Sequence, residues 1–259
     1  MSKEIERLID IVERLRAPGG CPWDREQTHK SILSCLLEEA YEFFEAVDEK
    51  NVAGMREELG DLLLQIMLHA QMEKEVGTFT LEDVAREINE KLIRRHPHVF
   101  GEVQVFSSKE VLKNWETIKR EEKQHRKYIV DGIPEALPAL FRAEKMQRRV
   151  ARVGFDWTEM EPVLDKVEEE FREFRRAMSK QDHVNAEEEL GDILFALVNV
   201  GRHVDICAED ALRAAVNKFG RRFRFIEDKF AALGKDIKSA TLEEMDKYWE
   251  ESKAEEAKP

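Results

Sequence analysis

The sequence predicts an all-α chain built from two tandem helical-bundle repeats, each with a paired-carboxylate site suited to a metal ion. Three observations lead there. Charged residues make up 37% of the 259 residues and hydrophobic ones 42%, with only 12 Gly and 7 Pro, which is the balance of amphipathic helices under a coat of solvated charge. Apolar residues recur at helical spacing through most of the chain. The order of features in the first half then returns in the second.

Taken in order, Ile5, Leu8, Ile9, Val12 and Leu15 share one face and predict a first helix, which Pro18, Gly19 and Gly20 stop. A loop holding Cys21, Pro22, Trp23 and Asp24 is expected next. Helices follow over about 32–48, 55–75 and 81–95, with breaks at Asn51, Gly54, Gly77 and Thr78. His96-Pro97 ends the last of these, because the residue before a proline is pushed out of the helical region. A further helix over about 109–123 carries Trp115 in a dense run of charge.

Gly132, Pro134 and Pro138 punctuate the middle of the chain, and the same features begin again after them. Glu38-Glu39-x-x-Glu42 followed by Glu58-Leu59-Gly60-Asp61 returns as Glu169-Glu170-x-x-Glu173 followed by Glu189-Leu190-Gly191-Asp192, every position shifted by the same interval. Lys91 to Arg95 is echoed by Lys218 to Arg222, Trp115-x-x-x-Lys119 by Trp249-x-x-x-Lys253, and Gly20 and Trp23 by Gly154 and Trp157. The boundaries expected are a first repeat over about 1–125, a linker over 126–137 and a second repeat over 138–259. Ala254 to Pro259 lack apolar periodicity and are expected to fray.

Charge and cysteine usage narrow the function. A formal net charge of -13 argues against a nucleic-acid scaffold, which needs surplus Lys and Arg, so an anionic substrate calls for a metal or a local basic cluster. Cys21, Cys35 and Cys207 are odd in number and lack C-x-x-C spacing, which suggests neither a disulfide framework nor a zinc site and fits a reducing cytoplasm. The first residues do not form a signal h-region, and no stretch reaches the ~18 to 20 apolar residues of a membrane span, so a cytoplasmic chain without membrane association is expected.

The acids carry the chemistry. Residues three apart on a helix share a face, so Glu39 projects with Glu42, and Glu58 with Asp61 on the next helix. The short connection at Asn51 to Gly54 turns the second helix back on the first, and Gly60 is expected to remove a side chain where the two approach. Four carboxylates in one interface repel and lose hydration unless a hard cation sits among them, and oxygen-only ligands suit Mg²⁺ or Mn²⁺. A Glu-rich helix is often no more than a solvated face. Here, however, the acids precede Leu62 to Leu68 and Ile193 to Val198, runs apolar nearly all round, which predict buried helices.

The E-E-x-x-E and E-x-x-D pairs, the stretch Cys21-Pro22-Trp23-Asp24-Arg25-Glu26-Gln27-Thr28-His29 and the stretch Arg94-Arg95-His96-Pro97-His98-Val99-Phe100 resemble the MazG nucleoside triphosphate pyrophosphohydrolases in their two-repeat form. The resemblance spans essentially the whole chain. It implies a homodimer of all-α units, Mg²⁺ held by the acids, and Mg²⁺-dependent cleavage of NTPs, ATP among them, and dNTPs to monophosphate and pyrophosphate. Carried over, it makes Glu170, Glu173, Glu189 and Asp192 the catalytic metal ligands, with Glu39, Glu42, Glu58 and Asp61 as their first-repeat counterparts. Nucleotide contacts would come from Lys166, Lys218, Arg222, Trp249 and Lys253, and from Lys91, Arg95, Trp115 and Lys119. The second repeat is the expected seat of activity, although both copies keep every acid. Glu169 is the candidate to take the proton from the attacking water.

Other readings stay open at this point. The arginines at 94, 95, 221 and 222 also suit helix ends, and Trp115 and Trp249 suit either a core or a stacked base. His69, His96, His98 and His203 lack metal-binding spacing, and Cys21 suits packing better than nucleophilic attack. A di-iron bundle calls for Glu-x-x-His, which these motifs lack, and a prenyl-transferring helical enzyme calls for aspartate-rich motifs. A non-enzymatic helical metal-binding regulatory or partner-binding dimer is the alternative of another class.

Overall fold

A computed structural model describes residues 3–122 and 127–256, and all regular structure among them is helical. The chain divides into two compact units, Met1–Gln124 and His125–Pro259. The expected boundary between residues 125 and 126, the expected helix end at 123 and the tail residues 257–259 lie outside the described residues. Among the described residues no helix is long and apolar enough to cross a membrane.

The first unit contains α1 (Lys3–Arg16), α2 (Pro22–Glu26), α3 (Leu33–Asp48), α4 (Val52–Val76), α5 (Leu81–Arg95), α6 (Pro97–Phe100) and α7 (Ser108–Glu121). The segment expected to be a loop at Cys21 to Asp24 holds the short helix α2. Pro22 opens it, where the missing N–H costs nothing because first-turn donors have no helical acceptor. Helix α4 begins earlier than the break at Gly54 suggests, because Asn51 caps it: its side-chain oxygen accepts from the Gly54 N–H at 3.0 Å. Thr80 and Asp83 form a reciprocal capping box at the start of α5.

The core of this unit is Val12, Ile32, Met67, Leu68 and Met72, with Ile5, Leu8, Ile9, Leu63, Leu64 and Leu81 packed around it. It joins α1 to the α3–α4 hairpin. Arg16 pins the α2 segment there, donating to both Glu75 carboxylate oxygens at 2.8 and 2.9 Å, to the Asp24 carbonyl, and to the Gln27 carbonyl at 3.3 Å.

The second unit contains α8 (Ala139–Ala151), α9 (Met160–Ser179), α10 (His183–His203), α11 (Ala208–Ala232), a 3₁₀ turn at Ile237–Ser239, and α12 (Leu242–Glu256). Helices α9 and α10 form the matching hairpin, α8 and α11 pack on it, and α12 packs on α11. The repeat reaches the backbone. Lys50 and Gln181 both end the first helix of their hairpin in left-handed conformation, at φ 56° and 58°. Each is followed by an acid or amide, Asn51 or Asp182, that caps the second helix.

Two expectations about the hairpins are corrected. A Cβ at Gly60 or Gly191 would meet nothing within 4 Å, so these glycines do not mark the close approach within a unit. Small buried residues stand next to the hairpin turns instead, Ala46 and Ala177 at 5% and 1% exposed, and a Cβ at Gly54 would lie 3.3 Å from the Ala46 Cβ. Nor are α4 and α10 buried all round: Ile66 and Leu197 are 47% and 44% exposed, because each unit covers only part of these helices. Residues 254–256 are helical where the sequence predicts fraying, since α12 runs to Glu256, whose carboxylate is tied to Arg222.

Candidate active site

The two hairpins gather the acids from helix pairs. In the first unit, carboxylate oxygens of Glu39 on α3 and of Glu58 and Asp61 on α4 all lie within 4.8 Å of one another. In the second, Glu170 and Glu173 on α9 and Glu189 on α10 do the same. Glu42 and Asp192, the fourth acid expected in each set, fall outside these triples, yet the Glu42 charge acts on Glu39 and Glu58 and the Asp192 charge on Glu189.

Lost hydration, then mutual repulsion, sets the electrostatics. The Glu39 carboxyl is pushed above its ordinary range by desolvation and then by the charges of Asp61, Glu42 and Glu58. Glu58 is raised by desolvation and by Glu42, and Glu189 by desolvation and by Glu173, Glu170 and Asp192. Oxygen donors that converge and repel in this way fit a hard divalent cation such as Mg²⁺ or Mn²⁺, which relieves the repulsion as it binds.

Lys166 joins the second cluster directly. Its ammonium lies 2.7 Å from Glu170 and 3.0 Å from Glu169, and those hydrogen bonds hold it protonated well above the usual lysine range. Glu170 itself is buried, while Glu169 is half exposed.

The cationic and aromatic residues of each unit form a second group. The Arg95 guanidinium and the Lys119 ammonium lie 5.1 and 4.6 Å from the Trp115 ring, and Arg222 lies 5.5 Å from Trp249. Phe219 packs beside Trp249 with ring centres 5.1 Å apart. Lys91 sits one turn before Arg95 on α5, and Lys218 one turn before Arg222 on α11. Lys253 pairs along its own helix with Glu250.

Sequence reasoning missed the acid that organises each group. Glu122 accepts from Arg94 at 2.6 Å and from Arg95, and Glu256 accepts from Arg222 Nε and Nη2 at 2.9 and 2.7 Å. A signal existed: Trp-x-x-x-Lys-x-x-Glu occurs at Trp115 and again at Trp249. The Arg95 hydrogen bond first, then Arg94, holds the Glu122 carboxyl down at about 2, against an ordinary 4.5. Because the folded value is depressed, its contribution is complete above the unfolded value and is lost as pH falls toward about 2. Glu122→Gln is therefore expected to lower the urea midpoint at neutral pH, with the gap to the parent chain closing at pH near 2. A gap that persists there would assign the role to packing.

The histidines brace helices. His29 Nδ1 meets His69 Nδ1 at 2.7 Å while His29 Nε2 meets Glu73 at 2.7 Å, joining the α2–α3 connection to α4. In the second unit His203 lies 3.2 Å from Asp156, which Arg202 also holds.

Comparison with known proteins adds the following. The family profile of the MazG nucleotide pyrophosphohydrolase domain matches residues 27–100 and 159–224, spans that include every acid of both clusters. The chain is 47% identical over 249 residues to the nucleoside triphosphate pyrophosphohydrolase/pyrophosphatase MazG of Thermotoga maritima, covering 96% of this chain and 95% of that protein. It is 46% identical over 258 residues to the nucleoside triphosphate pyrophosphohydrolase of Escherichia coli K12, covering 98% of each. Among solved structures, a mazG-related protein from Thermotoga maritima shares 32% identity over 44% of this chain and 98% of that one, with a TM-score of 0.39.

Proposed function

The chain belongs to the MazG nucleotide pyrophosphohydrolase family, and on that footing we propose that it hydrolyses nucleoside triphosphates, ribo- and deoxyribo-, to monophosphate and pyrophosphate with Mg²⁺, in the cytoplasm. The observation that carries this reading is the convergence of Glu170, Glu173 and Glu189 within 4.8 Å, repeated at Glu39, Glu58 and Asp61. Mn²⁺ is the expected substitute, since it accepts the same oxygen ligands.

In this reading Glu170, Glu173, Glu189 and Asp192 hold the metal, which when bound neutralises phosphate charge and makes the α-phosphorus more electrophilic. Arg222 and Lys218 add fixed positive charge for the phosphates, with Lys166 and Lys253 beside them, and Trp249 offers its face to the base. Water attacks the α-phosphorus, the bond to the α–β bridging oxygen breaks, pyrophosphate leaves, and Glu169 takes the water proton. Lys91, Arg95, Trp115 and Lys119 are the counterpart set beside Glu39, Glu42, Glu58 and Asp61. Each unit is one copy of the repeat, and the apolar positions left open on α3, α4 and α10 support a homodimer.

The test is product analysis after incubation with Mg²⁺ and each NTP and dNTP. Monophosphate plus pyrophosphate is the expected result; diphosphate plus phosphate, or no turnover, would return a non-enzymatic metal-binding dimer to the front.

A further inference from the structure

The two acidic motifs carry the same acids in sequence, but the charge beside them differs. In the second unit Lys166 lies four residues before Glu170 on α9 and contacts it at 2.7 Å. The corresponding residue before Glu39 on α3 is Cys35, which carries no positive charge. The charges that act on Glu39 are those of Asp61, Glu42, Glu58 and Glu38, all carboxylates.

The facing helix has changed in step. One turn beyond Asp192 on α10 stands the buried Ala196, whereas one turn beyond Asp61 on α4 stands Gln65, 6% exposed. A long cation on one helix and a small residue on the other are thus replaced by a small thiol and a long neutral amide at the equivalent positions. Gln65 Oε1 is buried without a hydrogen-bond partner, an oxygen donor uncommitted on the same face of α4 as Asp61.

We propose that Lys166 is a built-in counterion that makes metal entry at the second cluster depend on nucleotide, whereas the first cluster takes its divalent cation without nucleotide. The inference rests on the reading that both clusters hold metal. Lys166 already neutralises part of the second cluster, so a dication arriving at Glu170 meets an ammonium a few ångströms away. A triphosphate supplies new partners for that ammonium and lifts the conflict. Among the described residues no ammonium takes the place of Lys166 at the first cluster, so a bound cation is what relieves its repulsion. One chain therefore carries a standing metal site and a substrate-gated one.

Mn²⁺ alone, followed by electron paramagnetic resonance of the free ion, tests this without turnover. The parent chain should bind a single tight Mn²⁺, and a second after addition of a nonhydrolysable α,β-methylene nucleoside triphosphate, counted against nucleotide alone. Lys166→Met should bind both ions without nucleotide, its second site tightened by about tenfold or more. Cys35→Lys with Gln65→Ala copies the second hairpin into the first and should lose the nucleotide-free ion. If that pair fails to fold, Lys166→Met still decides. Two equal sites in the parent chain, unchanged in Lys166→Met, would overturn the gating and leave the metal reading standing. No Mn²⁺ bound with or without nucleotide would remove the metal reading itself.

Discussion

Glu170→Gln is expected to lower turnover of nucleoside triphosphates by about a thousandfold or more, the scale for removing a ligand of the proposed metal that acts in the transition state. The fold should survive. Glutamine keeps the volume of a side chain that is 5% exposed, and its oxygen can still accept from Lys166. Removing one of three crowded carboxylates relieves repulsion while it weakens the Lys166 pair, so the thermal midpoint without metal should change little. Glu39→Gln, the matching change in the first unit, is expected to keep most of the turnover and to reduce the rise in thermal midpoint that Mg²⁺ produces. Steady-state rates at saturating Mg²⁺, with circular dichroism melts of both variants, check the pair. Loss of turnover in Glu39→Gln with activity kept in Glu170→Gln would move catalysis to the first unit.

The acids were legible in sequence because their spacing is a property of the helix itself. Glu39 and Glu42 share a face wherever the helix sits, and a short capped turn leaves α4 little choice but to fold back on α3. Which oxygens converge was not legible, because it depends on side-chain direction across the hairpin. Thus Glu42 drops out of one triple and Asp192 out of the other, although the repeat makes Glu42 equivalent to Glu173 and Asp61 to Asp192. The Lys166–Glu170 pair lies at helical spacing, yet such spacing alone does not distinguish a surface pair from one that ends in a buried carboxylate.

Glu256 was hidden for a different reason. A charged segment at the end of a chain reads as fraying until the arginine that holds it is seen on α11. The reading of α4 and α10 as fully buried erred because an apolar pattern states that a face needs cover and not which chain supplies it. The reading of Gly60 belongs with that error: with open space around it, as around its counterpart Gly191, the missing side chain makes room for nothing inside its own unit.

Open apolar positions on α3 lead to the second large effect. Leu37 and Tyr41 lie one turn apart on α3 and are 57% and 40% exposed. Their repeat counterparts on α9 are Glu168 and Arg172, so the same backbone position is charged in one unit and apolar in the other. Since α9 forms with charges there, local helix stability does not require Leu37 and Tyr41 to be apolar, and in the proposed homodimer a second copy of the chain would cover them. Leu37→Glu with Tyr41→Arg, which copies the second unit, is expected to preserve helicity and weaken self-association. Burying one such side chain is worth roughly 1.5–3 kcal/mol, and a two-fold interface loses each contact twice, so dissociation should rise by about a thousandfold or more. Sedimentation velocity over a concentration series reads the result directly. A variant that stays dimeric to the lowest concentration would remove α3 from the interface and leave it to the apolar sides of α4 and α10, where Ile66 and Leu197 are exposed in both units alike.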